Sequence, residues 1–133
     1  MSDLTIKRLD ECESIFDDWI TRMRGELGGK AFGMQVFKMP PNFENHPEHN
    51  HAGVLADDGH EEVYTVLDGS AVLIADGQEH VLEPGVFARC GPSQVRKIVT
   101  RDEPVTLLAI GGPPGRGYVA AAWTEVGGPL PGA

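Results

Sequence analysis

Two aspartate–glycine pairs, Asp68-Gly69 and Asp76-Gly77, divide three apolar, β-branched runs with short gaps that favour hairpins. The runs are 61–67 (EEVYTVL), 70–75 (SAVLIA) and 78–82 (QEHVL). Glycine at the second turn position takes positive φ without a steric penalty, so both pairs favour two-residue β-turns. The same punctuation continues downstream. Glu83-Pro84-Gly85 leads into a strand at 86–90, Gly91-Pro92-Ser93 into one at 94–99, and Arg101 to Pro104 into 105–110 (VTLLAI), the most apolar of all. Upstream, 31–38 (AFGMQVFK) carries the aromatic and branched residues of another strand. With 17 glycines and 10 prolines among 133 residues, the chain is rich enough in turn formers to favour many short strands over a few long helices. Evenly spaced short strands predict an all-β sandwich or small barrel, whose interior can hold one small ligand.

One segment departs from this pattern. Over residues 10–27, Cys12, Ile15, Phe16, Trp19, Ile20, Met23 and Leu27 recur at three- and four-residue spacing, which predicts one N-terminal α-helix. Asp10 and Glu13 resemble a capping box, and Gly28-Gly29 forms a stop. Residues 3–9 alternate loosely, as a short edge strand would. The Gly/Pro-rich tail, 113–133, is expected to wrap the surface, docking through Tyr118 to Trp123. The length fits a single domain, 1–133, with its barrel at about 31–112. The net charge of −9 repels phosphate backbones and anionic headgroups, so neither nucleic acid nor membrane is an expected partner. With no signal-like segment and two well-separated cysteines, Cys12 and Cys90, the expected setting is cytoplasmic, with reduced thiols.

The chemistry concentrates in one stretch. His46, His49, His51 and His60 all fall between Asn42 and Glu62. Imidazole with carboxylate is the usual ligand set for divalent Fe, Mn, Ni, Cu or Zn. In an extended segment, His49 and His51 point to one face. Glu62 opens a strand on which Tyr64 and Val66 share its side. A two-histidine, one-carboxylate face then forms, with positions left open for substrate. His60 shares the face of Glu62 and is a candidate for the pocket lining. His80 is a possible substitute ligand on its own strand, and Phe37 and Met39 are candidates for the pocket wall. The same residues also allow a plain alternative, histidines solvated in a long loop. Cys90 would act as a nucleophile only beside a base.

His49-x-His51, then Glu62, then six residues and Gly69, resembles the first motif of the cupins, and Gly77 … Pro84-Gly85 … Gly91-Pro92 resembles the turn frame of the second. The resemblance covers roughly residues 31–112 and is nearest to small single-domain cupin type-2 proteins. It implies a double-stranded β-helix, or jelly-roll barrel, with His49, His51 and Glu62 as metal ligands. It also implies a homodimer. Two features depart from the pattern. Ten residues, Ala52 to Glu61, stand where cupins place a short spacer, and they are expected to bulge over the barrel mouth. The position of the second motif's ligating histidine falls on Arg96, which cannot ligate a metal.

Arg96 therefore separates three readings. In the first, a divalent metal at His49, His51 and Glu62 serves oxygenase- or isomerase-type chemistry on a small organic substrate, which Arg96 or Gln94 orients. In the second, Arg96 pairs with Glu62, replaces the metal, and leaves a small-molecule binding or sensing domain. The third is a structural homodimer without ligand.

Overall fold

The computed structural model describes residues 2–52 and 59–130. Among these residues, nine strands and one short α-helix run in the order β1 (Ser14–Ile15), β2 (Ile20–Thr21), α1 (Met23–Leu27), β3 (Gly33–Met39), β4 (Glu61–Asp68), β5 (Ala71–Ala75), β6 (Gln78–Leu82), β7 (Phe87–Cys90), β8 (Lys97–Thr100) and β9 (Val105–Gly112). Two antiparallel sheets result, ordered β1-β2-β3-β9-β4-β7 and β6-β5-β8. This is the expected all-β architecture, with one correction: Asp68-Gly69 closes no hairpin, because β4 pairs with β7 and β9 while β5 pairs with β6 and β8 in the other sheet.

Alternation sets the layers. On β4, Tyr64 and Val66 face inward; on β9, Val105, Leu107 and Ala109 do. They meet Leu73 of β5 and Ile98 of β8, so the core lies between the sheets. Asp76 and Gly77 both take positive φ (52° and 72°), the signature of a type I′ turn, and pin the β5–β6 register. Between β3 and β8, residues 42–49 run along the outer edge of β8. Asn42 N–H donates to the Arg101 carbonyl (2.7 Å) and Thr100 N–H to that of Phe43 (3.1 Å), and His49 and Arg96 exchange a bonded pair. That pairing extends the loop carrying the histidines alongside the strand carrying Arg96.

The expected helix over 10–27 is replaced by a hairpin, and α1 is only five residues long. Phe16, Asp17 and Asp18 take consecutive positive φ values (55°, 52°, 71°) and form the bend between β1 and β2. Such left-handed residues cost roughly 1–2 kcal/mol each. The free edge of β3 supplies the compensation. Ile20 and Thr21 pair with Phe37 and Val36, and Lys38 N–H donates to the Trp19 carbonyl at 2.8 Å. Trp19 then stacks edge-on against Phe37, with ring centroids 5.1 Å apart, and tilts over Phe43 at 5.0 Å. Each such aromatic pair contributes about 0.5–1.5 kcal/mol beyond its area burial. Glu13, expected in a capping box, instead pairs with Arg22 and accepts from Gly127 N–H at 3.0 Å. Gly28 does end α1, at φ 77°. Residues 3–8 are exposed and form no strand.

The tail turns back over this N-terminal hairpin. Arg22 and Arg24, both buried, donate to the Gly128 carbonyl (2.9 Å) and to Thr124 Oγ1 (3.3 Å), and Arg24 pairs with Glu125 at 2.8 Å. Those bonds hold a short 3-10 turn, Ala122–Thr124, against the mouth of the sandwich. Within the segment 118–123, Trp123 packs against the core and the Tyr118 ring lies 5.6 Å from that of His60. No helix among the described residues is long and apolar enough to cross a membrane.

One glycine positions the site directly. On β9, Gly111 pairs with Glu62, and a Cβ there would come within 2.5 Å of the Glu61 carbonyl oxygen. The backbone has no room for that atom. Gly111→Ala is expected to push β4 and β9 apart at this pair and destabilise the protein by about 1–3 kcal/mol. Chemical denaturation would measure it; a loss under about 0.5 kcal/mol would show that the strands yield without cost.

Candidate functional site

A cavity of about 1240 Å³ opens between the inner face of the six-stranded sheet, the 42–51 segment and the tail. Trp19, Phe37, Phe43, Tyr118 and Trp123 give it an aromatic wall. His46, His49, His51, His60, Glu62 and Tyr64 give it a polar side. An apolar cavity with a few converging polar groups is the usual form of a small-molecule site.

The polar side is built by two elements. Strand alternation on β4 aims Glu62 and Tyr64 inward while Glu61 turns outward to pair with Arg89 at 2.9 Å. Bonding of the 42–51 segment to β8 and to the Pro92 carbonyl, which accepts from His51 N–H at 2.8 Å, brings His49 and His51 opposite them. One ligand atom from each of His49, His51 and Glu62 lies within 4.8 Å of the others. The separation between His51 Nε2 and Glu62 Oε1 is 3.8 Å. Ligand bonds near 2.1 Å place adjacent donor atoms roughly 3–4 Å apart around a divalent ion, so this spacing fits one. His49 Nδ1 lies 2.8 Å from the Pro47 carbonyl, which can only accept. The ring proton is then on Nδ1, leaving Nε2 a lone pair: a carbonyl that accepts from one ring nitrogen fixes the tautomer and frees the other nitrogen to ligate a metal. The donor set and its support suit a divalent transition metal.

Arg96 is wholly buried and does not reach the cavity surface. It lies behind the polar side, where Nη2 donates to Glu62 Oε1 at 2.8 Å, Nε to the Tyr64 hydroxyl at 3.1 Å and Nη1 to the Gln94 carbonyl at 2.9 Å. Tyr64 in turn donates to Glu62 Oε1. Burial opposes the guanidinium's charge, but Tyr64 and Glu62 more than offset it, so Arg96 holds its proton more tightly than usual. Burial and the neighbouring Glu62 carboxylate push the Tyr64 phenol well above its ordinary pKa. Arg96 is outside the cavity lining and bonds to Glu62 and Tyr64, which face the cavity.

The other candidates divide. His60 is buried on the cavity lining, its ring 5.6 Å from that of Tyr118 and 6.3 Å from that of His51. Gln94 directs its amide away, to Asp76 (3.3 Å) and the Val95 carbonyl (3.0 Å), and lends only its own carbonyl to Arg96. His80 is exposed on β6, outside the lining. Phe37 lines the cavity, whereas Met39 is buried in the core. Burial raises the Cys90 thiol's pKa, which suits an inert core residue rather than a nucleophile. The bulge expected over the barrel mouth centres on residues 53–58, outside the described residues.

His46, read from the sequence only as a loop residue, is buried on the same side. Its Nδ1 accepts from Ile98 N–H at 3.0 Å. Burial, then the neighbouring His49, Arg96 and Lys97, lower its pKa to about 3. Trp19 and Trp123, which the sequence places in an apolar stripe and a docking segment rather than in the pocket, are further lining residues. What they share in sequence is that they are the chain's two tryptophans.

No protein-family model matches the chain, and no curated protein matches it. Solved structures do. A cupin protein from Bacteroides fragilis is 22% identical with a TM-score of 0.66, over 90% of this chain and 93% of that one. A sugar phosphate isomerase of the cupin superfamily from Silicibacter pomeroyi is 24% identical with a TM-score of 0.66, over 80% and 74%. A DMSP lyase from Ruegeria pomeroyi is 21% identical with a TM-score of 0.54, over 73% of this chain but 46% of the lyase. At these identities the likeness establishes the fold.

Proposed function

We propose, on the premise that this chain has the cupin fold, that it binds a divalent transition metal through His49, His51 and Glu62 and a small organic substrate in the cavity beside them. The observation that carries this reading is the convergence of those three donors within 4.8 Å on the polar side of an otherwise aromatic cavity. When bound, such an ion supplies a Lewis acid that polarises a carbonyl or carboxylate oxygen. The chain's own groups do the rest. Trp19, Phe37 and Trp123 bury the substrate's apolar part and exclude water, while Arg96 and Tyr64 hold Glu62 in one orientation. That division suits isomerase- or oxygenase-type chemistry, and the isomerase and lyase among its structural neighbours support an enzymatic role.

Metal analysis of protein prepared without a histidine tag and reconstituted with Mn(II), Co(II) or Zn(II) tests the reading. Near-stoichiometric metal is expected, falling at least tenfold when His49 and His51 are both replaced by alanine. Equal metal in wild type and variant would refute it. A second reading has its own support in the 2.8 Å pair of Arg96 and Glu62, in which the guanidinium already neutralises the carboxylate. On that reading the cavity binds its ligand without metal, and reconstituted protein stays metal-free while fully folded. In both, the half-buried Leu108 and Ile110 on the outward face of β9 offer an apolar surface for a second copy, which supports a homodimer.

A further inference from the structure

The charge of the site leads beyond metal binding itself. Among His49, His51 and Glu62 there is one carboxylate, and Arg96, fully buried, donates to it at 2.8 Å. The carboxylate and guanidinium cancel, and an imidazole is neutral when it ligates. Among the described residues, two other charged side chains touch the cavity: Asp17 at the exposed β1–β2 bend, and Arg24, already paired with Glu125 at 2.8 Å. A divalent ion at the three donors would thus leave the polar side of a mostly apolar cavity with an unbalanced charge of about +2, and such charge in a low-dielectric setting is costly.

We propose that metal and an organic anion bind this site as a coupled pair, the ligand class being a carboxylate with an aromatic or aliphatic body. This rests on the metal-binding reading above. The anionic oxygen offsets the charge that Arg96 leaves uncompensated, and the hydrocarbon part lies on Trp19, Phe37 and Trp123. Arg96 acts as a positioning and charge-setting residue, since it does not reach the cavity. It weakens the metal alone and makes the metal's affinity depend on the anion. By linkage, the anion's affinity depends equally on the metal. A unit charge a few ångströms away in a partly solvated site changes a divalent ion's affinity by roughly ten- to a hundredfold.

The test is calorimetric titration of Co(II) into metal-stripped, full-length protein, alone, with saturating benzoate, and with its neutral analogue benzamide. Benzoate is expected to tighten Co(II) at least tenfold, and benzamide less than twofold. Arg96→Met should bind Co(II) alone more tightly than wild type and lose most of the benzoate effect. Arg96→Lys, which keeps the charge but not the fork of hydrogen bonds, should retain it; a purely structural role for Arg96 would make both variants lose it alike. If Arg96→Met does not fold, the benzoate–benzamide difference in wild type still decides. Co(II) binding that is lost in His49→Ala but indifferent to benzoate would overturn this inference and leave the metal site standing. Absence of Co(II) binding under every condition would overturn both.

Discussion

Glu62→Ala is expected to destabilise the metal-free protein by about 3–5 kcal/mol, because it strips a buried guanidinium of its carboxylate. Arg96 has 0% exposure and would keep the Tyr64 hydroxyl, the Gln94 carbonyl and, at 3.5 Å, His51 Nε2 as its neutral partners. For a domain of this size the melting temperature should fall by roughly 10–20 °C. Arg96→Met is expected to cost less, about 1–2 kcal/mol. It removes the buried charge and fills much of the same volume, and the carboxylate left behind is 17% exposed and can be hydrated. The order of the two variants is thus the diagnostic. Urea unfolding of chelator-treated protein measures it. A larger loss in Arg96→Met than in Glu62→Ala would mean that the guanidinium's packing, not its charge, holds this wall together.

The second large effect is set by pH. His46 has a pKa of about 3 in the folded protein, against about 6.5 in an unfolded chain. Burial is the main cause, and the bond from Ile98 N–H to Nδ1 also requires the unprotonated nitrogen. Between these values the unfolded chain carries a proton on this ring that the native protein refuses. The contribution of His46 to stability is therefore complete above pH 6.5 and is lost progressively as pH falls toward 3, at about 1.4 kcal/mol per unit. By pH 4.5 the loss is expected to reach roughly 2–3 kcal/mol. His46→Gln should be less stable at neutral pH, yet show a flatter decline between pH 6.5 and 4.5. Parallel slopes in the two proteins, measured by urea unfolding across that window, would assign the acid sensitivity elsewhere.

The all-β strand pattern was legible where the signal is local. Asp76-Gly77 makes the β5–β6 hairpin its turn chemistry predicts, and the alternation on β4 and β9 separates inward Tyr64, Val66 and Leu107 from outward neighbours; Asp68-Gly69 instead carries the chain from β4 in one sheet to β5 in the other, a choice that strand partners make and local turn chemistry does not. The N-terminal segment was misread because apolar spacing alone cannot tell a helix from strands folded about a tight bend. The deciding interaction, β2 pairing with the edge of β3, lies about 16 residues away in sequence. Within the site, the cupin-like motifs named His49, His51, Glu62 and Arg96, yet the side of the wall on which Arg96 lies depends on Tyr64 and Gln94, to which no motif ties it. His46 was hidden for the same reason. Its surroundings in sequence, Glu44-Asn45-His46-Pro47-Glu48, read as solvated loop, and only the pairing of residues 42–49 with β8 buries it.

The arrangement of donors can be observed directly. Crystals of the protein grown with Mn(II) and measured near the manganese absorption edge should give one strong anomalous peak bounded by His49, His51 and Glu62, with Arg96 still bonded to Glu62 behind it. A map that is empty there at saturating Mn(II), or a peak ligated by other side chains, would contradict the account.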